Sequence, residues 1–255
     1  MNRLSVILIC KNEEKNIEAC LKSVSFADEI IILDSGSTDK TIEIAKKYTS
    51  HVYSTDWPGF GIQKNRCLSK ATGDWVLSID ADEQVSDALK EQIIRLLKNP
   101  EKDVNGYAIK RLSSYCGKIL KYGSWRNDYC TRLFKRGTGH FTNDIVHEKL
   151  CVNGTVKQIK APLYHEAFKT LEEVLKKVDL YSSLGASKRF ESGKQGGLYK
   201  ALSHSIWHFL FTYIFRLGFL DGREGLLLAI SNAEGIYYRY MKLYYLHRQK
   251  CLDNL

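Results

Sequence analysis

Along the first hundred residues, short runs of apolar residues alternate with segments whose apolar positions recur every three or four residues. Val6–Cys10 is an uninterrupted apolar run, and it ends in the polar turn Lys11-Asn12-Glu13-Glu14. Ile17, Cys20, Leu21 and Val24 follow at helical spacing. Ile30–Leu33 repeats the pattern and closes with Asp34-Ser35-Gly36-Ser37-Thr38-Asp39, a cluster suited both to a turn and to capping a helix through Ile42, Ile44 and Ala45. Trp75–Ile79 is a third buried-looking strand, closed by Asp80-Ala81-Asp82-Glu83. Ser86 or Asp87 then caps a helix carrying Leu89, Ile93, Leu96 and Leu97.

Strand–helix alternation of this length predicts an α/β fold with a parallel sheet between helices. Such sheets bind ligands beyond the carboxyl ends of their strands, and all three polar clusters fall at such ends. After Gly106 the pattern changes to β-like pieces, Tyr107–Leu112 and Cys130–Lys135, between glycine- and aromatic-rich loops. From Leu171 onward it is helical. The most apolar window, Ile206–Leu220, contains His208 and Arg216 and falls short of the roughly 20 residues a membrane span requires.

The composition is that of a globular chain: 255 residues, 44% hydrophobic and 26% charged. Seven scattered cysteines without a CxxC pair argue against a disulfide scaffold or zinc ribbon and for a reducing compartment. The N-terminal apolar run is too short for a signal peptide, so a cytoplasmic protein is expected. The net charge of +9 is uneven. Lys110–Arg136 holds eight basic residues and one acid, Asp128, while Lys188 to the end holds ten basic and five acidic residues. A localised positive field implies an anionic partner.

Asp80 and Asp82, two residues apart where a strand becomes a loop, suit a hard divalent cation such as Mg2+ or Mn2+ held against a diphosphate. Acids at a helix start are equally what the helix dipole favours. There is no GxxxxGK[ST] loop, and Gly59-Phe60-Gly61 is not continued into GxGxxG. A nucleotide here would be held by acids and a metal. Aromatics flanked by cations in the tail (Tyr237, Tyr238, Tyr240, Tyr244 and Tyr245 with Arg239, Lys242 and Arg248) suit either an interfacial helix on anionic lipid or a helix packed on its own protein.

The segments ILICKNEEKNI, DEIIILDSGSTDKT, QKN and GDWVLSIDADE together resemble the inverting glycosyltransferases of family 2. WRNDYCTRLFKR, VHEKL and LYHEAF are similar to a branch that adds glucose or a related sugar to the heptose of the lipopolysaccharide inner core. The resemblance implies a GT-A fold, a mixed sheet flanked by helices with a C-terminal helical extension. Residues 1–105 would form the nucleotide-sugar half, 106–168 the acceptor half, and 169–255 a C-terminal helical extension, either membrane-associating or packed on its own protein. It implies a UDP-sugar donor, a divalent metal, a lipid-linked saccharide acceptor at the inner face of the inner membrane, and no nucleic acid.

Position by position, the resemblance puts Asn12 and Glu14 in the donor pocket and Asp34 and Asp39 on the uracil and ribose. Lys64 faces the nucleotide, Asp80 the ribose or metal, and Asp82 the metal. His165 would complete the metal shell, and Arg132 or Lys135-Arg136 would meet phosphates. His147 stands with His165 as a histidine that could equally be structural. For the base that deprotonates the acceptor, Glu148 comes first, with Asp128 and then Asp144 as rivals. A metal-dependent nucleotidyltransferase and a non-catalytic basic module binding membrane or nucleic acid are the other readings the residues leave open.

Overall fold

The computed structural model describes residues 2–142 and 148–253. Along the chain, β1 (Leu4–Cys10), α1 (Ile17–Ser23), β2 (Glu29–Asp34), α2 (Thr41–Ala45), β3 (Val52–Ser54), α3 (Phe60–Leu68), β4 (Trp75–Ser78), β5 (Glu83–Val85) and α4 (Asp87–Lys98) make the alternating part. Then come β6 (Val104–Tyr115), β7 (Lys118–Ile119), β8 (Tyr129–Lys135), β9 (Gly139–Phe141), β10 (Leu150–Val152) and β11 (Thr155–Phe168). Three long helices close the chain: α5 (Leu171–Glu191), α6 (Leu198–Leu210) and α7 (Gly222–Asp253). The expected α/β class, with a mixed sheet flanked by helices and a helical C-terminal part, is the observed one.

Two compact units share these elements. Residues 1–112 with 128–165 form one; 113–127 with 166–255 form the other. In the first, the strand order is β3-β2-β1-β4-β8-β6-β11-β5 among the described residues. β1 pairs in parallel with β2 and β4, and β2 in parallel with β3, so their carboxyl ends share one edge. β8 joins β4 antiparallel and turns the sheet from parallel to mixed.

β1 is buried at every position because both faces of the sheet are covered. Leu4, Val6 and Leu8 pack with Ile17, Cys20 and Leu21 of α1 and Leu89, Ile93 and Leu97 of α4. Ile7 and Ile9 point the other way, to Cys67 of α3, Ala71 and Phe141. The turn into β4 passes beneath β1 so closely that a Cβ at Gly73 would lie 2.8 Å from the backbone of Arg3 and Ser5. Ser86 caps α4, its hydroxyl accepting from the Leu89 N–H at 3.2 Å.

In the second unit, Tyr115, Leu120, Val174 and Leu228 form a small core with Trp125 and Phe168 against it. The apolar window ending at Leu220 is not one helix. α6 runs into a π-helical turn, Phe211–Phe215. Leu217 then adopts a left-handed conformation (φ 59°) before the tight turn Gly218–Asp221. Asp221 holds this reversal, accepting from the Lys121 and Tyr122 N–H groups at 3.0 and 2.8 Å. In α7, Tyr240 and Leu243 are buried, and Lys242 donates to Asp179 at 2.6 Å. Among the described residues no helix is long and apolar enough to cross a membrane.

Leu77, fully buried in β4, is packed from both neighbouring strands. Leu77→Ala is expected to lower stability by about 2–5 kcal/mol, read by urea denaturation, from lost transfer energy and the cavity left behind. A loss under about 1 kcal/mol would contradict the packing described.

Candidate active site

The acidic turns after β1 and β2 are zipped into one tip. Asn12 sits in the left-handed region (φ 57°). Its N–H donates to Ser37 Oγ at 2.9 Å, and its Oδ1 accepts the Thr38 N–H at 2.8 Å. Glu14 Oε2 accepts from the Lys40 N–H, and the Glu14 N–H donates to Asp39. Asp39 also accepts from the Thr41 N–H at 3.0 Å, just ahead of the short α2, whose N-cap position is Lys40 without a side-chain cap bond. Burial works against ionisation of Asp39, but hydrogen bonds from Thr41 and Glu14 hold its carboxyl below the usual range. Asp34 is fully buried, and its carboxylate accepts from the N–H groups of Gly36 and Ser37, both at 2.9 Å, and from the Ser37 hydroxyl. Four residues expected at a donor pocket thus stand together, all of them engaged in building the tip.

A second group lies past β4. Asp80 has one carboxylate oxygen 2.9 Å from Lys64 Nζ and the other 2.5 Å from the Arg132 guanidinium. Lys64, nearly buried on α3, also meets Glu148 at 2.8 Å. Arg132, nearly buried on β8, meets Glu83 at 2.6 Å, and Glu83 is fully buried. Arg111 of β6 lies 3.7 Å from Glu83 and 2.8 Å from Asp128. An unbroken chain of charges therefore runs Glu148–Lys64–Asp80–Arg132–Glu83–Arg111–Asp128, linking the two described candidates for the base.

Local structure places each member. The Asn65 amide exchanges two hydrogen bonds with the Phe141 backbone, fixing α3 to β9 beside Lys64. Gln63 donates to Ser35 at 2.9 Å and Thr55 at 2.7 Å, tying α3 to the loops after β2 and β3. The Asp80 N–H donates to Glu83 at 3.1 Å and the Glu83 N–H to the Asp80 carbonyl at 3.0 Å, closing the turn on itself. The antiparallel pairing of β11 with β5 sets His165 opposite Glu83, and His165 Nε2 lies 3.3 Å from Asp82 Oδ2. Asp144 and His147 lie outside the described residues.

The comparisons with known proteins now bear on this geometry. The sequence profile of Glycosyl transferase family 2 matches residues 5–151. The lipopolysaccharide core biosynthesis glycosyltransferase LpsC of Rhizobium meliloti is 31% identical over 99% of this chain and 96% of its own. The chain belongs to glycosyl transferase family 2. An uncharacterized glycosyltransferase of Rickettsia typhi is also 31% identical, over 95% of this chain and 87% of that one. A solved glucosyl-3-phosphoglycerate synthase of Mycobacterium tuberculosis, in complex with Mg2+ and uridine diphosphate, is 21% identical. It covers 68% of this chain and 74% of its own, with a TM-score of 0.46. Family membership makes the chain a glycosyltransferase and decides against a nucleotidyltransferase or a non-catalytic basic module.

Electrostatics explain how this glycosyltransferase keeps so many charges in its interior. Burial alone would push the Asp80 carboxyl up, yet Arg132 and Lys64 hold it well below the usual range. Burial draws Lys64 down, but Asp80 and Glu148 outweigh it and leave the ammonium more firmly protonated than usual. Glu83 goes the other way: burial pushes its carboxyl up, and Arg132 offsets this only in part. Three cations face four carboxylates, and Asp82 adds a fifth beside them. The cluster is anionic, a setting suited to a divalent cation.

The donor set fits a cation of the Mg2+ or Mn2+ type. Two ligand atoms on one such ion, each about 2.0–2.2 Å from it, lie roughly 3 Å apart, close to the Asp82–His165 spacing. Both Asp80 oxygens are engaged by cations, so Asp80 is not open for ligation in this arrangement. No group of three or more metal-binding side chains occurs among the described residues.

Sequence reasoning did not single out Glu83, Arg111 or Gln63. Glu83 adjoins the Asp80–Asp82 pair and Arg111 lies in the basic segment, but their importance comes from burial and strand pairing. Arg132→Met would leave Glu83 buried with a weakened counter-charge and is expected to cost about 3–5 kcal/mol at neutral pH by urea denaturation. Because the folded-state pKa of Asp80 is depressed, its contribution is complete above the unfolded value of about 3.9 and fades as pH falls toward the folded one. The deficit of the variant therefore shrinks below pH about 4. An equal deficit at pH 7 and at acid pH would contradict this.

Proposed function

We propose that this family 2 glycosyltransferase moves a hexose, glucose in the first instance, from a UDP-sugar to the lipopolysaccharide inner core or a related lipid-linked saccharide, with inversion at the anomeric carbon. The observation that carries the reading is the strand-end charge cluster, in which Asp80, Asp82, Lys64 and Glu148 converge in a chain that also aligns along its length with a lipopolysaccharide core glycosyltransferase.

The tip built by Asn12, Glu14, Asp34 and Asp39 takes the uridine. Asp34 and Asp39 act chiefly by shaping that tip, since their carboxylates are engaged within it. Asp82 and His165 hold a divalent cation, which when bound supplies positive charge to the donor diphosphate. Without such a charge the anionic cluster would repel the diphosphate. Lys64 and Arg132 keep Asp80 ionised and in place, so that it faces the ribose or the metal's water shell.

Glu148 serves as the base. It takes the proton of the acceptor hydroxyl as that oxygen forms its bond to the anomeric carbon. The bond from that carbon to the phosphate oxygen breaks, and its electron pair leaves with UDP. Lys64, 2.8 Å away, holds the Glu148 carboxylate in place before the acceptor arrives. Asp128 is held to Arg111 and anchors the far end of the charge chain. The acceptor's lipid anchor places the reaction at the inner face of the inner membrane, and the cation-rich Lys110–Arg136 segment meets acceptor phosphates.

Glu148→Gln is expected to lower kcat about 100- to 10,000-fold in a UDP-release assay with a lipopolysaccharide core acceptor, with donor binding and thermal stability little changed. Asp128→Asn should retain most turnover. If Glu148→Gln turns over normally and Asp128→Asn does not, the base is Asp128.

A further inference from the structure

α6 and the π-helical turn after it are amphipathic in the reverse sense. The side packed within its own unit carries small or polar residues, Ala201, Ser205 and Thr212, all buried. Their hydroxyls are satisfied inside the helix: Ser205 donates to the Leu202 carbonyl at 3.0 Å and Thr212 to that of His208 at 2.8 Å. The large apolar residues face outward. Tyr199 is 84% exposed, Trp207 59% and Phe215 64%, with Leu202, Ile206 and Ile214 beside them. Trp207 lies 6.3 Å from Phe211 and 6.0 Å from Phe215, so the three rings form one continuous aromatic ridge. An exposed apolar strip of this extent marks an interaction surface.

Charge narrows the partner. Leu198–Leu220 contains no acidic residue, while Lys200 and Arg216 lie within it. The unit that carries the strip holds 16 basic and 9 acidic residues; the other holds 22 and 20. Seven of the chain's nine net positive charges therefore lie in the unit that carries the exposed aromatic strip. Aromatic and aliphatic side chains backed by cations match the boundary of an anionic bilayer, where rings sit at headgroup depth and cations meet lipid phosphates. With no helix among the described residues long and apolar enough to span, such a strip would lie in the plane of the interface.

We propose that the outward face of α6 and the Phe211–Phe215 turn is a docking surface for an anionic membrane, with Trp207, Phe211 and Phe215 as its anchoring ridge and Lys194, Lys200 and Arg223, all exposed, as its lipid-phosphate contacts. This deepens the lipid-linked acceptor reading by naming the surface that brings the chain to its acceptor. It rests on this unit's own exposure and charge, and its test does not require transfer.

The test is co-sedimentation of the full chain with vesicles of phosphatidylcholine alone and with about a third phosphatidylglycerol. The chain is expected to bind the anionic vesicles, less so as salt rises, and to bind the neutral ones weakly. Trp207→Ser with Phe215→Ser should weaken binding roughly tenfold or more. Both sites are exposed, so thermal stability and UDP release with a delipidated, soluble core acceptor should not change. Lys194→Gln with Lys200→Gln should reduce only the anionic preference. Three results would overturn the proposal: no binding to anionic vesicles, equal binding by the serine variant, or a wild-type dimer in solution that this variant dissociates, which would make the face a contact between copies. Absence of transfer with intact vesicle binding would instead count against the proposed function alone.

Discussion

The Asp80 carboxylate is shared between Lys64 and Arg132, and the strand-end site is organised around that pairing. The two cations come from α3 and β8, elements far apart in sequence, and each reaches on to a further carboxylate, Glu148 or Glu83. Burying this many charges is tolerable only because each has an opposite neighbour at hydrogen-bond distance. Loss of Arg132 would leave Glu83 in the interior with Arg111, 3.7 Å away, as its remaining cation. The arrangement holds Asp80 ionised between two cations and ties Glu148 to Lys64.

The charge chain also separates the work of the acids that sequence reasoning grouped together. Asp34 and Asp39 accept backbone and hydroxyl hydrogens and build the tip. Asp80 is clamped between cations. Asp82, 3.3 Å from His165, is the aspartate proposed to hold a metal. These assignments follow from which oxygens are already engaged.

Much of the first hundred residues was legible because their signals are local. Continuous apolar runs gave β1, β2 and β4, and the polar clusters after them gave the loops that form the site. Ser86 as a cap and the helix through Ile93 follow from the same local chemistry. The charge chain was not legible. It depends on β8 lying against β4 and on β11 lying against β5, pairings between segments more than fifty residues apart. Nothing local sets Glu83 or Arg111 apart from their neighbours until those pairings bury or join them. The tail shows the same limit. Tyrosines and cations alternate in α7, yet Tyr240 packs inward and Lys242 is tied to Asp179, while the exposed aromatic ridge is carried by α6.

The claim that the strand-end site grips a nucleotide diphosphate through a cation held by Asp82 and His165 is tested most directly by thermal unfolding with UDP, with and without Mn2+. A ligand bound only by the folded state raises its stability, by roughly 2.7 kcal/mol at a hundred times its dissociation constant. The account predicts that UDP stabilises the protein with Mn2+ present, that chelation removes the effect, and that Asp82→Asn abolishes it without altering the unliganded midpoint. Equal stabilisation by UDP in the presence of a chelator, or in Asp82→Asn, would contradict it.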